Sequence, residues 1–337
     1  MLKKLTDAFS PSGYEDEIRE IIINEITPFC DRITVDKTGN VIAFKKGISS
    51  GKKFMADAHM DEVGFIVTGI TEDGRLKFDE VGGIDDRILP GKRVIIGEKR
   101  VPGIIGITPI HLSYSEERNS VTKMRDMLID IGVSTKKEAE QLAKKGDYIC
   151  FDSEYTEFGD GFIKAKALDD RLGVAVLIEM LKTAKPVYDF YAVFSVQEEI
   201  GCRGAAVAAN IIKPDYALIV EGTICADSAF TPIHRRVTAA GNGAVFSVME
   251  RSSLANRDFL NFAKKLADEN GIAYQIKRTG NGGNNAGRIQ ISGKGLKTLA
   301  MAVPCRYLHS PACVISKKDF EAVRSLAILI SERIDEI

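Results

Sequence analysis

Short, almost wholly apolar runs of strand length are the feature that most constrains the fold of this 337-residue chain. They alternate with segments of helical periodicity and are clearest at residues 54–59, 188–196, 216–220 and 298–303. A strand that is apolar on both sides must be covered on both faces of its sheet, and helices between the strands supply that cover. We therefore predict an α/β fold with a central sheet flanked by helices.

The alternation of strands and helices is interrupted once, by a long segment of short β-type runs broken at Gly-Gly and Pro-Gly dipeptides. One pair of helices is predicted inside this segment, from Val121 to Asp130 and from Thr135 to Lys144. A chain of this length also exceeds a typical single domain. We therefore predict one α/β domain formed by residues 1–64 and 164–337, with residues 65–163 inserted as a β-rich domain.

The composition excludes several classes of partner. Lys and Arg total 46 against 47 Asp and Glu, and the net charge of -1 gives no electrostatic footprint for nucleic acid or an anionic membrane. The N-terminus lacks the apolar core of a signal peptide, and no run approaches membrane-spanning length. Six cysteines without a CxxC pair favour reduced thiols over disulfides. We therefore expect a cytoplasmic protein that acts on small molecules or peptides.

Five side chains of the kinds that bind metal each end an apolar run or open a predicted helix. They are His59, Asp169, Glu199, Glu221 and His309. Two histidines and three carboxylates supply nitrogen and oxygen ligands suited to zinc, cobalt or manganese, and one carboxylate can bridge two ions roughly 3.5–4 Å apart. The set therefore indicates a dinuclear metallohydrolase with two divalent ions per subunit.

Two of these residues also have plainer interpretations. A lone histidine after a strand is more often structural, although Asp61 is placed to orient the ring of His59. Asp169 taken alone is most simply explained as the cap of a helix. Both interpretations stay open at this point.

The adjacent acids Glu198 and Glu199 follow a buried strand, where two carboxylates repel each other and lose solvation unless a cation is present. Consecutive side chains of an extended backbone point in opposite directions, so the two cannot easily share one role. We therefore expect one of them to bind metal and the other to carry protons.

Four ordered motifs resemble those of the tetrahedral aminopeptidases, the glutamyl-aminopeptidase-like metallopeptidases of family M42. The motifs lie at residues 58–65, 168–173, 197–201 and 306–311, and the resemblance is collinear over essentially the whole chain. It implies a mixed central sheet, and it implies that the inserted domain is barrel-like and used in dimer contacts.

The resemblance also implies a role for each site residue. Asp169 would bridge both ions, His59 and Glu221 would complete one site, and Glu199 and His309 would complete the other. Glu198 would be the general base, with Asp61 behind His59. The peptide bond between Asp169 and Asp170 is expected to be cis.

The activity implied is hydrolysis of the N-terminal residue of a short peptide by a hydroxide that bridges two ions, zinc or cobalt above all. Dimers of the family assemble into hollow tetrahedral dodecamers, so a homo-oligomer is expected. Glu221 stands where many relatives have Asp, and Asn284 and Asn285 stand where many have Thr and Asp. The last departure is expected to alter which terminal side chain is accepted.

Two alternatives belong to other classes of protein. An endoglucanase-type glycosidase needs an acid and a base around a sugar, usually with aromatic platforms, but this chain has no Trp and its carboxylates accompany histidines. A non-catalytic, metal-stabilised, oligomeric peptide-binding protein would keep the ligands and have no use for Glu198.

Overall fold

The computed structural model describes residues 1–49, 51–112, 120–278 and 282–337. It consists of a large mixed sheet with helices on both faces and a closed barrel. The described helices are α1 (Leu2–Asp7), α2 (Asp16–Ile26), α3 (Lys136–Leu142), α4 (Leu168–Thr183), α5 (Arg203–Ile212), α6 (Arg257–Glu269), α7 (Ala286–Ile289) and α8 (Lys317–Arg333). None of them is both long and apolar enough to cross a membrane.

The large sheet, called the main sheet below, contains strands from both ends of the chain. Its strands are β1 (Arg32–Val35), β2 (Val41–Lys45), β3 (Lys53–His59), β10 (Thr156–Phe158), β11 (Phe162–Ala165), β12 (Asp189–Ser195), β13 (Tyr216–Ile224), β14 (Ala244–Ser247), β15 (Tyr274–Ile276), β16 (Lys297–Arg306) and β17 (Cys313–Ser316). The order is β1-β2-β12-β3-β13-β16-β17-β11-β10, and β14 pairs with both β15 and β16. Strands β12, β3, β13 and β16 are mutually parallel. The predicted α/β fold with a mixed sheet is therefore confirmed.

Successive residues of β3 pack into different cores on the two faces of the main sheet. Phe54 and Ala56 belong to a cluster that includes residues of α4 and α8. Met55 belongs to a second cluster, which includes Ala205 and Ala208 of α5. Because strand side chains alternate between faces, an all-apolar strand can serve both cores. This double burial explains the apolar runs in the sequence.

The six remaining strands close into an antiparallel barrel with its own core. They are β4 (Gly64–Ile70), β5 (Leu76–Val81), β6 (Arg93–Ile96), β7 (Val101–Gly106), β8 (Leu128–Asp130) and β9 (Tyr148–Phe151), in the order β4-β5-β8-β7-β6-β9. Phe65, Phe78 and Phe151 form edge-to-face ring contacts inside it. The prediction of an inserted barrel-like unit is confirmed.

Strand pairing ends the barrel at Phe151, before the predicted boundary at residue 163. Strands β10 and β11 lie in the main sheet because β11 pairs antiparallel with β17. The domain boundaries themselves stay a prediction.

One helix predicted in the inserted segment is correct and the other is wrong. Helix α3 lies within Thr135–Lys144 as expected. Residues 121–130 contain a short 3-10 turn at Met124–Asp126 and then β8. Barrel closure accounts for the difference, since β8 pairs with both β5 and β7 and buries Ile129 in the barrel core.

Candidate metal centre

The carboxyl ends of β12, β3 and β13 meet at one edge of the main sheet, where most of the predicted site residues lie. His59 is the last residue of β3 and lies opposite Ser195, the last residue of β12. Glu198 and Glu199 follow β12 within four residues of its end, and Glu221 lies inside β13. Parallel strands thus gather at one place residues that are far apart in the sequence.

The other two predicted ligands come from a helix start and a turn. Asp169 is the second residue of α4, and His309 lies in the turn between β16 and β17 with a left-handed φ of 58°. The peptide bond between Asp169 and Asp170 is cis, as the resemblance implies. Asp170 is fully buried and accepts the backbone N–H of His59 at 3.1 Å, which ties α4 to the end of β3.

The carboxylate of Asp169 lies between the two histidines. Its Oδ1 is 3.4 Å from Nε2 of His59, and its Oδ2 is 3.7 Å from Nε2 of His309. Nε2 of His309 is also 3.4 Å from Oε1 of Glu199. Asp169 therefore has the position expected of a bridging ligand.

Two overlapping groups of donor atoms, each within 4.8 Å of one another, lie among the described residues. One contains Asp169, Glu199 and His309, and the other contains His59, Glu198 and Glu199. Glu221 belongs to neither group, although it lines the same cleft. The structure thus brings four of the five predicted ligands into close groups and places Glu221 beside them.

Asp61 lies behind the ring of His59, on the side away from Asp169. Nδ1 of His59 is 3.2 Å from the carbonyl oxygen of Asp61 and 3.4 Å from its Oδ1. The same carboxylate accepts the backbone N–H groups of Glu198 at 3.0 Å and Glu199 at 3.2 Å, and the hydroxyl of Ser12 at 2.5 Å. A single buried carboxylate therefore fixes both the imidazole and the loop that carries the two acids.

A barrel-side carbonyl orients the second histidine, and sequence reasoning missed it. Nδ1 of His309 lies 2.8 Å from the carbonyl oxygen of Gly83, just after β5. A carbonyl oxygen only accepts hydrogen bonds, so the contact requires the proton on Nδ1 and leaves Nε2 to face Asp169 and Glu199.

The ionisation of the site follows from burial and from crowding of like charges. Burial raises the pKa of Glu199 to about 8, partly offset by His309. Burial lowers the pKa of His309, but Asp169 and Glu199 outweigh it and the pKa rises to about 10. Burial also raises the pKa of Glu198, again partly offset by a histidine, His59. These shifts favour protonated carboxylates and imidazoles when no other cation is present.

The arrangement fits a divalent metal. Oε1 of Glu199 is buried and has no hydrogen-bond partner among the described residues, which is costly for a carboxylate oxygen. Its neighbours are imidazole nitrogens and carboxylate oxygens, the donor set that zinc and similar ions take. A cation here would satisfy the orphaned oxygen and replace the shared protons.

The site opens into a cleft of about 440 Å³. Cys202 lines it and donates its thiol to Oε1 of Glu198 at 3.0 Å, a contact that nothing in the local sequence predicts. Arg251 and Lys277 line it as the basic residues outside the predicted ligand set. Cleft volumes of this order hold small ligands such as one terminal residue of a peptide.

The two asparagines that depart from the family pattern do not line this cleft. Both are almost fully buried. Asn284 donates to Glu221 at 2.7 Å, whereas Asn285 donates to Asp57 at 2.7 Å and to the hydroxyl of Ser195 at 3.0 Å. The expectation that these departures alter the accepted substrate side chain therefore finds no contact to support it.

Comparison with known proteins decides the family. Residues 39–326 match the family of M42 glutamyl aminopeptidases. The chain belongs to this family. A putative aminopeptidase of Acetivibrio thermocellus is 37% identical over 329 residues, which cover 97% of this chain and 96% of the relative. The lysyl aminopeptidase of Pyrococcus furiosus is 29% identical over 99% of this chain and 96% of its own length.

Several solved structures have the same fold as this chain. The TET aminopeptidase of Thaumarchaeota archaeon SCGC AB-539-E09 superposes with a TM-score of 0.95 at 34% identity, over 99% of this chain and 95% of that one. The TET1 peptidase of Pyrococcus horikoshii, described as assembling into a tetrahedron or a large octahedral shell, gives 0.88 at 37% identity over 98% of both chains. A Thermotoga maritima structure described as an endoglucanase gives 0.83 at 34% identity, over 98% of this chain and 96% of that one.

Membership of the family makes the chain a hydrolase and a metal-dependent aminopeptidase. This prediction from the sequence is confirmed, and the glycosidase alternative is not favoured.

Proposed function

We propose that this aminopeptidase removes the N-terminal residue from short peptides at a dinuclear centre. The ligands would be His59, Asp169, Glu199, Glu221 and His309, and the ions would be zinc, cobalt or manganese. One observation carries the proposal: the two oxygens of Asp169 face the Nε2 atoms of two different histidines. A carboxylate in that position is suited to serve two ions at once.

Divalent ions held by these ligands would polarise the scissile carbonyl and make a water molecule nucleophilic near neutral pH. Residues of the chain itself would carry out the proton transfers. Glu198 lines the cleft, is not needed as a ligand in this assignment, and has its pKa raised by burial toward the range of a general base. It would take the proton of the attacking water and deliver it to the leaving amine.

Two contacts of Glu198 support this role. Its backbone N–H is bonded to Asp61, and its Oε1 accepts from the thiol of Cys202. Asp61 would therefore act through the positions of His59 and Glu198, without contact with the substrate. The thiol occupies one oxygen of Glu198, which leaves the other for the reacting groups.

Glu221 is retained as a ligand in the proposal because of its surroundings. It lies in β13 beside β3, and it lines the cleft together with Asp169. The backbone N–H of the next residue, Gly222, bonds Oδ1 of Asp169 at 3.2 Å. Burial, followed by the nearby Glu250, raises the pKa of Glu221 well above its ordinary value, so a cation is favourable there.

We also propose that the chain works as a homo-oligomer in the cytoplasm. Residues 65–163 would contribute dimer contacts, residues 1–64 and 164–337 would carry catalysis, and dimers would assemble into a tetrahedral dodecamer. The described self-assembly of the TET1 peptidase supports an oligomer. Exposed apolar side chains on and after β7, including Ile104 and Ile110, support contacts through the barrel segment. Six free thiols suit a reducing compartment.

The experiment that tests the activity uses metal-stripped protein reloaded with zinc, cobalt or manganese. Substrates are aminoacyl-nitroanilides, a free peptide and the same peptide with an acetylated N-terminus, with carboxymethylcellulose in parallel. We expect metal-dependent release of single N-terminal residues from the free peptide only. Cellulose cleavage that resists chelation, with no release of amino acids, would overturn the proposal.

A further inference from the structure

We propose that Asn284 is a positioning residue that holds Glu221 in the metal centre by donating to two carboxylates at once. The inference rests on the proposed role of Glu221 as a metal ligand. It concerns a buried chain of polar contacts, Glu221–Asn284–Glu250–Lys277, that leads from the predicted ligand to the wall of the cleft.

The contacts along this chain are short. Nδ2 of Asn284 lies 2.7 Å from Oε1 of Glu221 and 2.5 Å from Oε2 of Glu250. Asn284 is 1% exposed, and both glutamates are 8% exposed. An amide nitrogen carries two hydrogens, so Asn284 gives one to each carboxylate. Two buried acids that would otherwise repel each other are thus held on one donor group.

The orientation of the amide is fixed by its other atom. Oδ1 of Asn284 accepts the backbone N–H of Ala286 at 2.9 Å. A flipped amide would turn its oxygen toward the two carboxylates and its NH₂ toward that N–H group. Both contacts would then be repulsive, so a single amide orientation satisfies all three partners.

The far end of the chain supplies the compensating charge. Oε1 of Glu250 pairs with the ammonium of Lys277 and accepts the hydroxyl of Ser247 at 3.1 Å. Glu250 is therefore satisfied by a cation of its own. For Glu221, Oε1 is occupied by Asn284, and no donor among the described residues contacts Oε2. The contact thus fixes the carboxylate by one oxygen and leaves the other for an ion.

This geometry explains why the residue type at position 284 matters. Aspartate has nearly the same shape but would place a third carboxylate against the two already there. Threonine has one hydroxyl hydrogen and could serve only one of the two. The amide is suited to a centre whose ligand at 221 is the longer Glu with a second acid, Glu250, beside it.

The test compares substitutions at two neighbouring buried asparagines. Both N–H donors of the amide are lost in Asn284→Asp and in Asn284→Ala. One donor remains in Asn284→Thr, which has a hydroxyl. Asn285→Asp is the matched control, because Asn285 bonds Asp57 and Ser195 and does not contact Glu221. Metal-free melting curves first establish that each variant folds. Zn²⁺ and Co²⁺ affinities are then measured by competition with chelators, and the visible spectrum of bound Co²⁺ reports the ligand geometry.

We expect Asn284→Asp and Asn284→Ala to lower the affinity for one of the two ions by at least about tenfold and to change the Co²⁺ spectrum. Loss of a residue that hydrogen-bonds a metal ligand typically has an effect of this size. Asn284→Thr should fall between them and the wild type, and it also serves if the other two variants do not fold. Asn285→Asp should leave both affinities unchanged. Wild-type affinities and spectrum in all three Asn284 variants would overturn the inference.

The outcome for the proposed function is read separately. If the wild type binds two ions and the Asn284 variants lose one, but no peptide is hydrolysed, the inference stands and the proposed activity fails. If peptides are hydrolysed and the Asn284 variants bind metal with wild-type affinity, the proposed activity stands and the inference fails.

Discussion

The imidazole Nδ1 of His309 lies 2.8 Å from the carbonyl oxygen of Gly83, although the two residues are 226 positions apart in the chain. The contact joins the turn after β16 to the loop after β5. A loop of the barrel therefore orients His309, whereas the main sheet and α4 position the other residues of the site.

The two glycines of this loop should respond differently to substitution. Gly82 has a φ of +90°, and a Cβ there would lie 2.9 Å from Cγ1 of Val63 and 3.2 Å from Cβ of Glu199. We expect Gly82→Ala to cost about 1–3 kcal/mol of stability and to weaken metal binding. At Gly83 a Cβ would come no closer than 4.0 Å to His309, so Gly83→Ala is the matched control. Equal melting temperatures for the two variants would contradict this prediction.

Replacing the proposed base should separate catalysis from metal binding. Glu198→Gln keeps the shape and the acceptor for Cys202 but removes the basic oxygen. We expect kcat to fall by about 10²–10⁴ while the metal content stays at the wild-type value. Elemental analysis and nitroanilide kinetics on the same sample make the comparison. If metal is lost in parallel with activity, Glu198 is a ligand and a different residue carries the proton.

Metal binding should release protons. In the metal-free protein the pKa of Glu199 is raised to about 8 by burial, and the pKa of His309 is about 10 because Asp169 and Glu199 outweigh its burial. Both groups hold protons at pH 7, and an ion must displace them, so affinity should rise as pH increases toward about 8. Calorimetry in buffers of different ionisation enthalpy counts the protons released. A binding enthalpy independent of the buffer would contradict the assignment.

Glu15 should make folding stability depend on pH. Burial raises its pKa from 4.5 to about 7, although a hydrogen bond from the N–H of Gly13 opposes the shift. An acid whose pKa is higher in the folded state stabilises the fold at low pH, and this contribution disappears as pH rises through about 7.

The variant Glu15→Gln removes this titration. Its stability relative to the wild type should increase from pH 4.5 to pH 7 by up to about 3 kcal/mol and stay level above. Denaturant unfolding across that range measures the difference. Glu20→Gln, on the exposed side of α2, is the control and should show no such rise.

The charges of the cleft predict a preference among N-terminal side chains. Outside the predicted site, Arg251 and Lys277 are the charged residues that line it, and Lys277 is already paired with Glu250. We expect acidic terminal residues to be cleaved with higher kcat/KM than basic ones, and we expect Arg251→Ala to reduce that ratio by about tenfold or more. Arg257→Ala, at the exposed start of α6, is the control. If the ratio of kcat/KM for acidic over basic terminal residues is the same in both variants, Arg251 does not determine the preference.

The elements that the sequence predicts well are those with a strong local pattern. The strand that ends at His59 is largely apolar, and the acid pair Glu198–Glu199 follows a similar strand, so the sequence predicts these residues at strand ends. The sequence predicts helix where β8 lies, because three residues carry too little periodicity to indicate a strand. The pairing of β8 with β5 and β7 specifies it in the fold. Gly83 and Asn284 carry no local signal, since each acts through a residue distant in the chain.

Strand β3 lies between β12 and β13 in the main sheet, yet the whole barrel separates it from them in the chain. Both neighbours of β3 therefore come from segments that follow the barrel in the chain, so β3 cannot complete its native pairing before those segments are synthesised. His309 lies later still, in the turn between β16 and β17. The candidate ligands can therefore come together only after the segments on both sides of the barrel and the turn that carries His309 have been synthesised.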